Sequence, residues 1–288
     1  MTQEQLQSAI GNLRKQPWSF WGLQAWRLTK IEIRRNLISR RGLWIYFLAF
    51  IPAVIIGIHM LVDHHSDFVM SDDTVVLAGV VQLYYVRLGI FFGCLGIFSR
   101  LIRGEMVERS LHFHLLSPVR RELILLAKFL AGAFSAVAVF GAAIVVDFAL
   151  MYAGYGGAGQ DFVFHGPGLG QLASYLLITV LACLGYGSIF LLLSLVFRNP
   201  TPGAMLLLGW EAINPVLPSL LQKFSVASYL RHLMPVSVPA EGIFALLTVE
   251  TEPVPAWAAV LGLAALIAAV LVFSCYRMRR LEISYTSE

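Results

Sequence analysis

Six long apolar runs, centred on residues 44–62, 78–99, 123–153, 172–197, 204–221 and 256–276, limit what this chain can fold into more than any other feature. An α-helix needs about 20 apolar residues to cross the ~30 Å hydrocarbon core of a bilayer. Inside that core every backbone N–H and C=O must find a partner within the protein, so only helices and closed barrels span it. Barrel strands alternate polar and apolar residues over segments of about 10, whereas these runs are continuous. The composition agrees: 58% of the 288 residues are hydrophobic and 13% charged, against about a quarter charged in a soluble domain. The expected fold is an all-α polytopic membrane protein, with six transmembrane helices forming one domain over 43–280. A cytoplasmic tail and an interfacial helix precede it at 1–42, and a short tail follows at 281–288.

Positive charge orients the helices. Of the 21 Lys and Arg residues, 18 fall before helix one, between helices two and three, after helix four or after helix six. If six helices alternate, all 18 lie on one side. Only Lys223 and Arg231 lie on the other, and Arg87 lies within helix two. The positive-inside rule then puts that side, with both termini, in the cytoplasm. The formal net charge of +4 reflects topology and anionic lipid, and no nucleic-acid partner is expected. The first 40 residues hold no short apolar core before a small-residue cleavage site, so no signal peptide is expected. Cys94, Cys183 and Cys275 fall in apolar runs without metal-ligand spacing and read as small hydrophobes.

From Pro17 to about Ser39 the chain reads as a helix. Trp18, Trp21, Ala25, Trp26, Leu28 and Ile33 fall on one side of its wheel, with Arg27, Lys30, Arg34 and Arg41 opposite. Such a helix lies along the inner leaflet with its tryptophans at headgroup depth. Helix one carries Pro52, a kink position. Helix three runs from near Arg120 to near Tyr152. Gly154, Gly156, Gly157 and Gly159 then make a flexible outer loop. Helix five is short, and Pro215 and Pro218 disrupt its outer end. The outer segment 222–254 is half apolar. It either re-enters the outer leaflet or forms an ordinary loop with short helices.

Arg87, Asp147 and Glu211 lie inside apolar runs. A charge at mid-bilayer costs roughly 2.5–3.5 kcal/mol on insertion scales, so these residues face the bundle interior, a subunit seam or a wet cavity. Arg87 either pairs with Glu211 or Asp147 to stabilise the bundle, or the three line a transport pathway. His59, His64 and His65, with Met60 and Met70 nearby, are weak candidates for a copper or zinc site. They make no recognised ligand set by themselves. Gly185-Tyr186-Gly187-Ser188 sets a serine among glycines, as in an intramembrane hydrolase. A packing serine is the plainer reading, because no later helix offers a histidine at depth.

The cytoplasmic stretch 104–120 carries the sharpest signal. Val107, Leu111 and Leu115 recur every four residues, with Glu105, Glu108, Arg109 and His112 on the polar face. This is the pattern of a short amphipathic helix, and Ser117-Pro118 ends it, since proline pushes the residue before it out of helical geometry. Arg120-Arg121-Glu122 then leads into helix three. The stretch resembles the membrane subunit of ABC-2 type exporters. Glu105 and Glu108 stand at that family's acidic positions, and Ser110-Leu111 at its Thr-Leu step. Leu115-Leu116 match its Leu pair, Ser117-Pro118-Val119 its Pro-Val step, and Leu125-Leu126-Ala127-Lys128 its exit. Arg109 departs from the pattern, where the family often has glycine.

The resemblance implies a permease of the bacterial inner membrane, working as a homodimer or heterodimer above two ABC ATPase subunits. Glu105, Glu108, Arg109, Leu111, Leu115 and Pro118 would form the coupling helix that rests on an ATPase. The interfacial helix bearing Trp18, Trp21, Trp26, Arg27, Lys30 and Arg34 would support it. ATP and Mg²⁺ would bind in the partner: the chain has no Gly-x-x-x-x-Gly-Lys-Ser/Thr sequence and is not expected to be an enzyme. The expected substrate is lipid-like, amphipathic or drug-like, passing along helices one, two and five. The alternatives are a secondary carrier without an ATPase, an intramembrane hydrolase, or a metal-export component.

Overall fold

Residues 18–38, 42–62, 70–104, 106, 120–197, 199–214, 217–236 and 255–280 are described by a computed structural model. Among them there is no strand. We number the helices α1 (Trp18–Ile38), α2 (Leu43–Val62), α3 (Met70–Gly79), α4 (Ile90–Ser99), α5 (Arg121–Ala153), α6 (Gly156–Phe164), α7 (Gly168–Val196), α8 (Pro200–Ile213), α9 (Ser219–Gln222), α10 (Val226–Arg231) and α11 (Ala256–Arg279). A π-helical stretch, Val80–Gly89, joins α3 to α4, and a second, Arg100–Gly104, follows α4. Residues 70–104 thus form one continuous rod, called here the second rod.

Among the described residues, five helices are long and apolar enough to cross a membrane: Leu43–Met60, Met70–Ile102, Arg121–Ala153, Gly168–Val196 and Ala256–Arg279. Within the run at 204–221, no described helix reaches that length. Its helix, α8, has 14 residues, about 21 Å at ~1.5 Å per residue, and stops two residues before Pro215. Asn199 starts α8 sharply: its side chain accepts a hydrogen bond from the Thr201 N–H at 3.1 Å, and Pro200 takes a first-turn position. After α8 the chain turns. The Leu217 N–H bonds the Asn214 carbonyl at 3.1 Å, and Gln222 Nε2 donates to the Leu217 carbonyl at 2.8 Å.

Contacts at one end of the bundle show how the described chain begins and finishes. The guanidinium of Arg120 lies 4.0 Å over the Trp21 ring. At the start of α5, Glu122 pairs with Arg279, and Arg121 donates to the Arg279 carbonyl at 3.3 Å. The start of α1, the start of α5 and the end of α11 therefore share one end, called here the foot. The basic residues Arg277 and Arg279 complement the negative C-terminus of α11 there. Helix α7 ends at the foot and α11 begins at the opposite end, a bundle's length away. The 14-residue α8 covers part of it. Helix α10 lies in the interior: a side chain at Gly185, midway along α7, would meet Val226 and then Leu263.

The Gly154–Gly159 stretch, expected to be a flexible loop, is largely helical. Gly156 takes a left-handed φ of 56°, a conformation open to glycine without strain, and this turn starts α6, whose Phe162 ring stacks on Tyr152 at the end of α5. Gly159 then packs so close to the Tyr152 carbonyl that a Cβ would collide with it. Nearby, Tyr155 donates to Asp73 at 2.7 Å; burial, then this carboxylate, pushes the Tyr155 hydroxyl well above its usual range.

The core is a set of rings inserted opposite glycines. A Cβ on Gly93 would strike the Phe140 ring, and one on Gly187 or Gly132 would strike Phe98. Small residues let helices approach closely in a membrane, where packing replaces the hydrophobic effect as the driving force. Phe91 adds edge-on contacts to Tyr186 and Phe190 at 5.3 and 5.0 Å, the geometry that aromatic quadrupoles favour. Helices α5 and α7 are accordingly the most buried of the five long helices, and α11 the least.

Candidate functional site

Two buried polar clusters and one cavity set the charged residues of the spans in context. The first cluster centres on Asp147 of α5, which is fully buried. Its Oδ2 accepts from the Tyr85 hydroxyl at 2.7 Å, and that hydroxyl also lies 2.8 Å from the Ala49 carbonyl. Its Oδ1 has no hydrogen-bond partner among the described residues. Next to it, Tyr84 donates to the Leu48 carbonyl at 2.6 Å. Pro52 explains that bond. Proline lacks the N–H that would bond the carbonyl four residues back, and that carbonyl belongs to Leu48. Two successive tyrosines of the π-helical stretch thus serve two successive carbonyls of α2. π-Helical segments are rare and gather at functional sites.

The second cluster centres on Glu211, near the end of α8. Its Oε1 accepts from the Val226 N–H at 3.0 Å and its Oε2 from the Ala227 N–H at 3.3 Å. The Ser225 hydroxyl donates to Oε2 and accepts from the Ser228 N–H at 3.1 Å. The first N–H groups of a helix have no intrahelical acceptor, and a carboxylate there also complements the positive end of the helix dipole. Glu211 and Ser225 together satisfy three of those N–H groups in α10. The carboxylate therefore fastens an interior helix onto α8.

Arg87 and Glu211 come together at a cavity of about 410 Å³ between the second rod, α7 and α8, with Leu83, Tyr84, Leu88, Tyr186, Leu208 and Ala212 as its other walls. Arg87 lies within electrostatic reach of both Glu211 and Tyr186. Arg231 is within reach of the same pair of charges, Arg87 and Glu211. Of the pairings open to Arg87 by sequence, the cavity favours Glu211, while Asp147 is held by Tyr85.

At the foot, Lys128 Nζ lies 2.6 Å from Glu32 Oε1, and both side chains are buried. The Thr29 hydroxyl lies 3.2 Å from the Ala127 carbonyl. These contacts correct the expected orientation of α1. Trp21, Ala25, Leu28 and Ile33 of the stripe assigned to lipid are half-buried against α5, with Thr29 and Glu32 buried among them. Trp26 is 65% exposed, on the outer face with Arg27, Lys30 and Arg34. The apolar stripe is a packing face because Glu32 sits inside it and needs Lys128. The side chain of Trp18 lies outside the described residues.

The coupling residues Glu105, Glu108, Arg109, Leu111, Leu115 and Pro118 also lie outside the described residues, as do His64 and His65. His59 is half-buried near the end of α2. Among the described residues, no group of three or more His, Cys, Asp or Glu could hold a metal ion. Ser188 is buried and donates to the Gly185 carbonyl at 2.8 Å, the local back-bonding of a serine in a helix.

Sequence reasoning missed Tyr84, Tyr85, Tyr186, Ser225 and the Glu32–Lys128 pair. Two signals were available. Tyr84-Tyr85 stands three residues before Arg87 within an apolar run, and Glu32 interrupts the apolar side of the α1 wheel. Compared with known proteins, the chain matches no family model and no curated sequence.

Proposed function

We propose that this chain is the transmembrane permease subunit of an ATP-driven ABC-2 type exporter. It acts in the bacterial inner membrane as a dimer over two ATPase subunits that bind ATP and Mg²⁺, with both termini in the cytoplasm. The observation that carries the reading is the joint at the foot. Residues 105–118, which resemble the family's coupling segment, lead directly into α5. There α5 is tied to α1 by the buried Glu32–Lys128 pair and to α11 by Glu122–Arg279. A push on 105–118 would move these three helices as one body. Such coupling needs an element with two arrangements that both ends bias. The interior helix α10, held to α8 through Glu211, is suited to be that element and to act as an outer gate. The cavity beside it supports an amphipathic or drug-like substrate, since ligand pockets are mostly apolar with a few placed polar groups.

The test is assembly and drive. Solubilised from its native membrane, the chain should co-purify with an ABC ATPase, and transport by the reconstituted complex should stop when ATP hydrolysis is blocked. Charge reversal at Glu105 and Glu108 should abolish ATPase association while the helical content of the bundle stays unchanged. Transport that persists on an ion gradient without ATP would sink the reading and leave the secondary carrier in its place.

A further inference from the structure

Glu211 and Asp147 are both buried in the bundle, yet they are held in opposite ways. Glu211 accepts from the Val226 and Ala227 N–H groups and from the Ser225 hydroxyl, a donor set suited to an ionised carboxylate. Asp147 meets one hydroxyl, that of Tyr85, and its Oδ1 has no partner among the described residues. An ionised carboxylate has two oxygens and about four lone-pair sites to satisfy. Burying it unpaired is far costlier than burying a neutral group.

The hydrogens around Tyr85 make the same distinction. Its hydroxyl oxygen lies 2.7 Å from Asp147 Oδ2 and 2.8 Å from the Ala49 carbonyl, both within O–H···O range. The phenol supplies one hydrogen. If Asp147 is ionised, both neighbours can only accept, and whichever one Tyr85 does not serve faces it oxygen to oxygen. A proton on Oδ2 satisfies both contacts. Tyr85 then donates to Ala49, as Tyr84 beside it donates to Leu48, and accepts from Asp147. Oδ1 becomes an uncharged carbonyl oxygen, which is less costly to leave unpaired than a charged one.

We propose that Asp147 is a proton-binding site, filled in this conformation, whose proton is the hydrogen that joins α5 to the second rod and, through Tyr85, to α2. The titratable groups that act on Asp147 are Tyr84 and Tyr85 of the second rod, and α2 presents the Ala49 carbonyl. Arg87, further along the rod, acts with Glu211 and Tyr186. On α7, Tyr175 acts with Tyr152, and on α3 Asp73 accepts from Tyr155. The basic residues of α1 are exposed, and Arg279 of α11 lies at the foot. The surroundings of Asp147 thus offer hydroxyl and carbonyl oxygens, which suit a neutral acid.

The test is infrared difference spectroscopy of the full-length chain in lipid nanodiscs at about pH 5.5, where an ordinary aspartate is ionised. The spectrum of Asp147→Asn should lack one carboxylic-acid C=O band that the unaltered chain shows, and that band should shift in D2O. Asp147→Glu should move the band without abolishing it, so either variant decides the question if the other does not fold. Tyr85→Phe should keep the band and shift it, because the acid loses its acceptor. Loss of a carboxylate band in Asp147→Asn, or movement of a carboxylate band in Asp147→Glu, would overturn the proposal. An acid band unmoved by Tyr85→Phe would overturn the joint through Tyr85. Neither transport nor an ATPase enters the measurement, so this site and the exporter reading stand or fall separately.

Discussion

Lys128→Met is expected to release α1 from the foot of α5 without unfolding the bundle. Lys128 Nζ and Glu32 Oε1 are 2.6 Å apart, with side chains 3% and 7% exposed. Removing one partner of a buried ion pair leaves the other charge uncompensated, at a cost of about 3–5 kcal/mol. Helix α1 can escape that cost by lifting away, which returns Glu32 to water. At 1.4 kcal/mol per factor of ten, the opening equilibrium of α1 shifts by roughly two to three and a half orders of magnitude, up to the limit set by its remaining contacts. Those include the Thr29 hydroxyl on Ala127 and the Tyr46 hydroxyl on the Leu37 carbonyl at 3.0 Å. Hydrogen exchange read by mass spectrometry on peptides covering 21–38 measures the opening, and peptides of α7 serve as the internal control. The double variant Glu32→Leu/Lys128→Leu should recover most of the protection, because desolvating the pair offsets much of its attraction. Unchanged exchange in Lys128→Met, or a double variant more open than either single one, would refute the reasoning.

Three other outcomes follow from the same geometry. Tyr84→Phe should destabilise the bundle by about 1–3 kcal/mol, because the Leu48 carbonyl loses its donor. Adding Pro52→Ala restores a backbone N–H to that carbonyl, so the double variant should melt above Tyr84→Phe alone. Glu211→Gln turns an amide N–H₂ toward the N–H groups of α10 and should loosen it. In an Ala227→Cys background, maleimide labelling of the new thiol should become faster, and an unchanged rate would contradict the role of Glu211. Gly187→Ala should be more destabilising than Gly96→Ala, by about 1–3 kcal/mol for the former. The new methyl at 187 meets the fully buried Phe98 ring, whereas the one at 96 meets Trp44, which is 38% exposed and free to swing outward. Thermal melts of the two variants give the order.

The helical class, the centres of five spans and the long course of α5 were legible in the chain because a bilayer leaves few choices. An apolar run of about 20 residues can satisfy its backbone there only as a helix. The run at 204–221 holds a shorter helix than its hydropathy suggests, because hydropathy measures how apolar a segment is and not whether its helix persists. Asn199 and Pro200 open α8 as their residue types dictate, yet the helix ends after 14 residues before Pro215. The glycines at 154–159 misled in the opposite sense, since only the fold showed that they let α6 lie against the Tyr152 carbonyl.

Sequence by itself determined that Arg87, Asp147 and Glu211 must turn inward, because charge is costly in hydrocarbon. Tertiary structure alone decided what each of them meets. Asp147 meets a tyrosine from a π-helical stretch, Glu211 the start of a helix 15 residues further on, and Arg87 a cavity. The same division holds for α1. Its wheel displayed an apolar side, but lipid and protein offer equally apolar surroundings to such a stripe. Only the buried Lys128, approaching Glu32 from 96 residues away, decided that the stripe packs on protein.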